Sequence, residues 1–368
     1  MSKTVLLTAG GTGGHLFPAQ ALAGELQRRG WVVELATDER ADKYGSAFPA
    51  RNVHIIASET IRGRNPVALA KTAFSLLRGT LQARSVIKAL KPDAVAGFGG
   101  YPTFPPMFAA RLTGTPSILH EANGVMGRAN KLLAKGVAAI ATSVPLDNLP
   151  HDLAVKQVET GNPVRDAVLE AADQPYAAPV AGGEFKLLVF GGSQGARFFS
   201  DLLPPAIERL PEDIRNRLSI VQQCRPEDIE RVQAVYEKLG VKAECAPFFK
   251  DMPERIAQSH LVICRSGASS VSELSVLGRP SILVPLPGAI DQDQAANARV
   301  LETAGGAWPI RQSELTADRL SEEIIRFINS PDLLVEAAAN ARSVAKPDAV
   351  KRLADLVEKV AEKQGERP

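Results

Sequence analysis

The chain has 368 residues, 45% of them hydrophobic and 23% charged, which suffices for ordinary globular cores and, at this length, for about two domains. A formal net charge of +2 demands no nucleic-acid partner, and three cysteines (Cys224, Cys245, Cys264) without any CxxC spacing argue against a disulfide framework and a zinc site and suit a reducing cytosol. The N-terminal apolar run in MSKTVLLTAGG is too short for a signal peptide and no stretch reaches the ~20 apolar residues of a spanning helix, so any membrane contact is expected to be peripheral.

In chain order, short β-branched runs alternate with longer helical patterns: TVLLTA, WVVELAT, VHIIAS, DAVAGFG, SILHEA and AAIATS, then KLLVFGG, SIVQQC, LVICRSG and SILVPL. Alternation of this kind predicts parallel sheets covered by helices. The pattern also restarts. TVLLTAGGTGGH near the N-terminus and KLLVFGGSQGAR from Lys186 are each a strand, a glycine-rich turn and a helix start, which predicts two doubly wound α/β domains. The Asn162-Pro163 turn and the loose segment DQPYAAPVAGGE mark the boundary between them. The helical tail from Pro347 to Lys363 can complete either domain.

Doubly wound sheets bind ligands at the carboxyl ends of their strands, and a glycine turn leading into a helix offers free N–H groups and a positive dipole end to an anion. TAGGTGGHLFPAQALAGEL, Thr8 to Leu26, is such a turn with His15 at the junction. A dinucleotide fingerprint starting at Gly11 would need glycine where Leu16 stands, and no GK[ST] follows for a Walker loop. Asp38 and Glu39 after the second strand keep a nicotinamide alternative open.

In the second half Gly191, Gly192 and Ser193 sit where a strand meets a helix. The strand LVIC runs into Arg265, Ser266 and Gly267 and then a helix whose first turn holds Ser269 and Ser270. Two helix N-termini on one sheet edge, with Arg265 beside them, suit a diphosphate. Glu273 has two readings: Ser270-x-x-Glu273 is a capping box, and a carboxylate one turn into such a helix equally accepts hydrogen bonds from a ribose diol. Asp291-Gln292-Asp293 has the spacing of a metal-binding DxD, yet beside Gln294 it is expected to bind a sugar rather than a metal, with helix capping as the remaining alternative.

GGTGGH, GGY (Gly99 to Tyr101), HEAN, GNPVR, GGSQGA, CRSGA and DQDQ, in this order and spacing, resemble the MurG family, the bacterial glycosyltransferases that add N-acetylglucosamine to lipid I in peptidoglycan synthesis. The resemblance runs from Val5 to about Gly306. It implies a GT-B fold of two Rossmann-like domains with a cleft between them. Residues 1–163, completed by a C-terminal helix at 345–368, would bind lipid I and associate with the membrane, and residues 164–344 would bind UDP-N-acetylglucosamine. It also implies no cofactor, no nucleic acid, an anionic membrane surface and cell-wall or division-complex proteins as partners, and a peripheral location on the cytoplasmic face of the inner membrane.

By the same resemblance Thr12, Gly13, Gly14 and Asn123 contact the donor's sugar end, and Arg165 and Ser193 its nucleotide and phosphates. Glu273 becomes the ribose ligand, the backbone at Phe249 faces the uracil, and Gln294 reads sugar hydroxyls. Two departures stand out: Asp293 replaces a second glutamine common in relatives, and Ala122 makes HEAN of their HEQN. The implied reaction is attack of the muramyl 4-hydroxyl on the anomeric carbon with inversion, UDP leaving with its charge stabilised by glycine-turn N–H groups, helix dipoles and Arg265. His15, mostly neutral at cytosolic pH and placed where a helix N-terminus disfavours the imidazolium, is the preferred general base. Glu121 of HEAN is the rival.

A lipid acceptor requires membrane contact. Between Thr60 and Pro92 stand seven basic residues and no acid. If Val67 to Leu90 is one helix, Leu69, Leu76, Ala83, Ile87 and Leu90 form one apolar face, and Phe74, Leu77 and Leu81 a second, flanked by Lys71, Arg78 and Arg84. The first suits a core; the second is expected to meet the anionic inner leaflet. Gly79 weakens the single helix by about 1 kcal/mol.

Overall fold

The computed structural model of the chain describes residues 2–10, 13–39, 48–58, 66–146, 149–192, 196–288 and 293–365, without the side chains of 66–69 and 363–365. It divides into two compact units, Met1–Arg165 with Pro347–Pro368, and Asp166–Lys346. The break falls after Arg165, just past the Asn162-Pro163 turn, and the helical tail belongs to the first unit.

Unit 1 is built on seven strands: β1 (Thr4–Thr8), β2 (Val32–Thr37), β3 (Asn52–Ile55), β4 (Ala94–Gly97), β5 (Ser117–Glu121), β6 (Ala139–Thr142) and β7 (Gln157–Glu159). They lie in the order β3-β2-β1-β4-β5-β6-β7, every pairing parallel. A parallel sheet is covered on both faces, so its inner strands are apolar without alternation. Val5 and Leu7 turn to one face, under α1 (Gly13–Arg28) and the C-terminal helix Ala349–Gly365; Leu6 turns to the other, with Val95, Leu119 and Ile140. That second face is covered by α2 (Pro66–Leu90), α3 (Phe104–Thr113) and α4 (Arg128–Leu133).

The C-terminal helix buries Leu353, Val357 and Val360 against Leu22, Leu26 and Trp31. Polar contacts fix its register: Arg29 reaches Asp355 at 2.6 Å and Glu358 at 2.8 Å, and the Trp31 indole donates to Glu358. α2 is one continuous helix. Gly79 does not merely weaken it, because a Cβ there would collide with the carbonyl oxygen of Ala57; glycine lets the chain leaving β3 run against the helix.

Unit 2 carries six parallel strands: β8 (Phe185–Phe190), β9 (Leu218–Gln223), β10 (Lys242–Ala246), β11 (Leu261–Cys264), β12 (Ser281–Leu283) and β13 (Ala307–Pro309), ordered β10-β9-β8-β11-β12-β13. Its core joins Phe185, Leu187 and Val189 of β8 to Phe199, Leu203 and Ile207 of the helix Arg197–Glu208. β7, β10 and β13 are additions to the strands expected from apolar runs. Each is an edge strand.

Candidate active site

In unit 1 the strand order reverses between β1 and β4, the switch point where doubly wound sheets open a crevice at their carboxyl ends. β1 leads into α1, whose first turn carries His15, and β4 leads into Gly99 and Gly100. The imidazole lies in a cradle of glycines. A Cβ built on Gly10, Gly99 or Gly100 would come within 3.3–3.4 Å of its ring atoms, and Gly99 and Gly100 hold φ of +89° and +79°. Gly99 and Gly100 need glycine for their positive φ, and the His15 ring packs close against all three. Gly13 is buried, whereas a Cβ on Gly14 would meet no atom of the described residues within 4 Å.

Next to His15 stands His120, buried at the end of β5 with its ring tilted 41° to that of Phe98 at a centroid distance of 5.3 Å. Burial drives its pKa down to about 4, opposed by the Gly161 carbonyl and aided by the charge of His15. Its Nε2 lies 3.3 Å from that carbonyl; the contact assigns the proton to Nε2 and leaves Nδ1 as an acceptor.

Glu121, one residue on, is 2% exposed. Its Oε1 accepts from the backbone N–H and the side-chain amide of Asn123, both at 3.1 Å, and its Oε2 from the Gly127 N–H and Asn130 Nδ2, both at 2.8 Å. Burial raises its pKa while these four donors pull against the rise. Four donors fill the sites a carboxylate offers. Asn130, absent from the sequence motifs above, also donates to the His120 carbonyl and reaches the neighbourhood of Gly99 beside the His15 ring. Asn130 thus links Glu121 to the glycine turn beside His15. Arg165 places its guanidinium 4.2 Å over the ring of Phe17, two residues after His15 on α1.

In unit 2 the reversal lies between β8 and β11. The helix Ala268–Leu277 starts from Gly267, which is its N-cap and supplies no side-chain cap. The capping-box reading is therefore corrected: Ser270 lies inside the first turn, and the first helical bond runs from the Val271 N–H to the Gly267 carbonyl. The N–H groups of Ala268, Ser269 and Ser270 precede that bond and have no intrahelical acceptor. Glu273, one turn in, is buried, and its charge helps burial to push the Cys264 thiol up.

Gly191 donates its N–H to Gln223 Oε1 at 3.2 Å, and Gln223 Nε2 donates to the Pro247 carbonyl at 3.2 Å. Gln223 thereby ties the first glycine turn to the segment bearing Phe249, whose ring is buried 4.3 Å beneath the Arg255 guanidinium. It was hidden in a run read only as a strand; the signal is an amide pair, Gln222-Gln223, at a buried strand end. Gln294 accepts the Leu286 N–H on Oε1 at 3.0 Å, which fixes the amide and leaves its NH2 as donor. Ser266 bonds the Gln294 carbonyl at 2.8 Å and binds this helix start to the β11 loop.

Arg265 donates to the Val284 and Pro285 carbonyls and, at 2.6 Å, to Gln312, with its guanidinium 5.3 Å from the Phe198 and Phe199 rings, and its buried Nε has no partner among the described residues. Burial lowers its pKa. It holds the wall of the site. Thr12, Ser193, Asp291 and Gln292 lie outside the described residues, among which no three His, Cys, Asp or Glu side chains group as a metal site.

On α2 the two apolar faces separate: Ala83 and Ile87 are buried, while Phe74, Leu77 and Leu81 are 67%, 59% and 58% exposed beside exposed Lys71, Arg78 and Arg84. Leu69's side chain lies outside the description. No described helix is long and apolar enough to cross a membrane.

Comparison with known proteins gives these sites a family. The glycosyltransferase family 28 N-terminal domain matches residues 5–142 and the family 28 C-terminal domain residues 186–353. A Sinorhizobium fredii protein named UDP-N-acetylglucosamine--N-acetylmuramyl-(pentapeptide) pyrophosphoryl-undecaprenol N-acetylglucosamine transferase is 57% identical over 357 residues, covering 97% of this chain and 95% of its own. A protein of the same name from Bradyrhizobium diazoefficiens is 56% identical over 362 residues, covering 98% and 99%. The crystal structure of Acinetobacter baumannii MurG is similar with a TM-score of 0.76 at 33% identity, over 97% of this chain and 99% of that one. A UDP-GlcNAc 2-epimerase from Neisseria meningitidis shares the fold alone, at 15% identity and a TM-score of 0.67. With both domain models matched and relatives above half identity along nearly its whole length, this α/β chain of two Rossmann-like units belongs to the MurG family of GT-B glycosyltransferases.

Proposed function

We propose that this chain moves N-acetylglucosamine from UDP-N-acetylglucosamine to the muramyl 4-hydroxyl of lipid I, with inversion, to give lipid II. The names and identities of its relatives support this activity. One observation carries the chemistry: His15 is bedded on three glycines at the switch point of unit 1, while the carboxylate of Glu121 is saturated by protein donors.

His15 acts as the general base. As the 4-hydroxyl oxygen bonds to the anomeric carbon, the bond from that carbon to UDP breaks, the hydroxyl proton passes to His15, and the electron pair leaves with UDP. Glu121 and Asn130 position the segment from Asn123 to Gly127 rather than taking a proton. The diphosphate charge falls to backbone donors, the uncapped N–H groups of Ala268, Ser269 and Ser270 with their helix dipole, while Arg265 stays in the wall. Glu273 accepts from the ribose diol, Gln294 donates from its fixed amide to a sugar hydroxyl, and the segment at Phe249, braced by Gln223, meets the uracil. Thr12, Gly13, Gly14 and Asn123 approach the sugar; Arg165 and Ser193 serve the nucleotide and phosphates.

The exposed face of α2 rests on an anionic bilayer, with the cytoplasmic leaflet of the inner membrane as its site. The deciding experiment is transfer of labelled N-acetylglucosamine to synthetic lipid I, with UDP appearing only when acceptor is present. Release of UDP or formation of an epimer without acceptor overturns the proposal in favour of the epimerases that share the fold.

A further inference from the structure

One side chain ties together the two ends of the candidate nucleotide site in unit 2. β9 lies between β8 and β10, and Gln223 is its last residue, 3% exposed. From there the amide works in both directions. Its Oε1 accepts the N–H of Gly191, just past β8, and its Nε2 donates to the carbonyl of Pro247, just past β10, each at 3.2 Å. The rung from the Cys224 N–H to the Ala246 carbonyl continues the β9–β10 ladder, and Pro247 brings no N–H to extend it. The side-chain amide takes over where the backbone ladder stops, and holds the Gly191-Gly192 turn at a fixed distance from the segment Pro247-Phe248-Phe249.

Arg255 holds the other end of that segment. It stands on the helix Met252–Gln258 and reaches back to β10, where Glu244 accepts it on both oxygens at 2.7 and 2.9 Å, while Asp251 accepts its Nε–H at 2.9 Å. Its guanidinium lies 4.3 Å from the centre of the Phe249 ring, which is buried. Paired bonds of this kind fix a guanidinium in direction as well as in place, so Phe249 is pinned by its side chain and Pro247 by its carbonyl. Between them the Phe248 side chain is 55% exposed. Among the described residues no hydrogen bond takes the N–H or the carbonyl of Phe248 or Phe249. A short stretch of backbone is thus braced at both ends while its own donors and acceptors stay uncommitted.

Such a stretch can tell uracil from cytosine. The two bases share a ring and differ on one edge: uracil offers an N3–H donor and an O4 acceptor, cytosine an N3 acceptor and an amino donor at C4. A backbone N–H and a backbone carbonyl are a donor and an acceptor that cannot exchange roles. Loose backbone can turn a peptide to suit either edge, whereas braced backbone leaves the wrong base facing unpaired groups. We infer that Gln223 and Arg255 are specificity-determining positioning residues, which hold residues 247–249 rigid so that the site takes a uridine diphosphate and refuses a cytidine diphosphate. The inference rests on the uracil placement proposed above, and both residues act through the backbone they brace.

The test is calorimetric titration of the full-length protein with UDP and with CDP. Ribose and diphosphate are common to both, so the ratio of the two dissociation constants isolates the base edge. The wild type is expected to favour UDP by about a hundredfold or more, and Gln223→Met and Arg255→Met each to lose about tenfold of that ratio. A purely structural role weakens both nucleotides alike or neither, so an unchanged ratio in the variants overturns the inference while the selectivity of the wild type keeps the uracil placement. A wild type that binds UDP and CDP equally overturns that placement, and the inference with it. Arg255→Met leaves the buried end of β9 untouched, so its ratio decides if Gln223→Met does not fold.

Discussion

Replacing Glu121 by glutamine separates a base from a brace. The carboxylate accepts four N–H groups, two on each oxygen. A glutamine amide keeps one oxygen and turns an NH2 toward two donors. Those two charge-assisted bonds, each worth about 1.5–3 kcal/mol, are lost. Part of the loss is offset because a neutral amide is cheaper to bury than a carboxylate whose pKa burial has already raised. Part is also recovered if Asn130 turns its buried Oδ1, which has no partner among the described residues, toward the new NH2. The net expectation is a loss of about 2–3 kcal/mol of unit 1 stability. The rate should fall as the segment from Asn123 to Gly127 loosens, but the acidic limb of the pH–rate profile should persist. His15→Ala should do the converse: about 100-fold or more off the rate, donor affinity nearly unchanged, and the acidic limb gone. Thermal melts and pH–rate profiles of the two variants make the comparison. If the limb survives in His15→Ala and vanishes in Glu121→Gln with stability unchanged, Glu121 is the base and the saturation argument is refuted.

Four further outcomes follow from the same geometry. His120 is held neutral in the fold, its pKa about 4 against an ordinary 6.5, so its contribution is complete above pH 6.5 and is lost as pH falls toward 4, up to about 3 kcal/mol; denaturation curves across that window should flatten in His120→Gln. Gly79→Ala gains about 1 kcal/mol of helix propensity but drives a Cβ into the Ala57 carbonyl, so a net loss of about 1–3 kcal/mol in a thermal melt is expected, and a more stable variant would disprove the contact. Lys71, Arg78 and Arg84 changed together to glutamine should cost about 3 kcal/mol of binding to anionic vesicles, and unchanged partitioning sinks the α2 surface. Glu273→Gln should weaken UDP binding by about 1–3 kcal/mol in calorimetry; since Gly267 is the N-cap, a drop in melting temperature with UDP affinity intact would point to a structural role.

The inner strands were legible because a doubly covered parallel sheet writes itself as unbroken apolar runs, as in Val5, Leu6 and Leu7, all fully buried. β7, β10 and β13 were not, because an edge strand has one neighbour and sits partly in solvent: Gln157–Glu159 and Lys242–Ala246 have no fully buried residue, and each is too short for its alternation to stand out from a loop. The helix face at Phe74, Leu77 and Leu81 could be read from spacing, since one amphipathic stripe suffices for burial and the second has no intramolecular use. Side-chain commitments were harder to see. Sequence gives Arg265 and Glu121 a charge and a strand end, but what each bonds depends on how loops fold back, on carbonyls at Val284 and Pro285 about twenty residues on and on amides at Gly127 and Asn130 in the loop and helix after β5. Asn130 and Gln223 went unnoticed for the same reason.

The two units use one device, strand, glycine turn and helix at a switch point, for different ends, and the glycines record the difference. In unit 1 the His15 ring packs close beside Gly10, Gly99 and Gly100. In unit 2 a Cβ on Gly192 or Gly267 would meet no atom of the described residues within 4 Å. Gly192 at φ +85° would strain any replacement, whereas Gly267, at φ −63° and ψ 148°, would tolerate one as far as the backbone is concerned. On the diphosphate placement proposed above, glycine at 267 serves close approach of the ligand. Gly267→Ala should fold with unaltered stability and bind UDP about tenfold more weakly, roughly 1.4 kcal/mol, and full UDP affinity in that variant would show that the diphosphate does not come against the Ala268–Leu277 helix start.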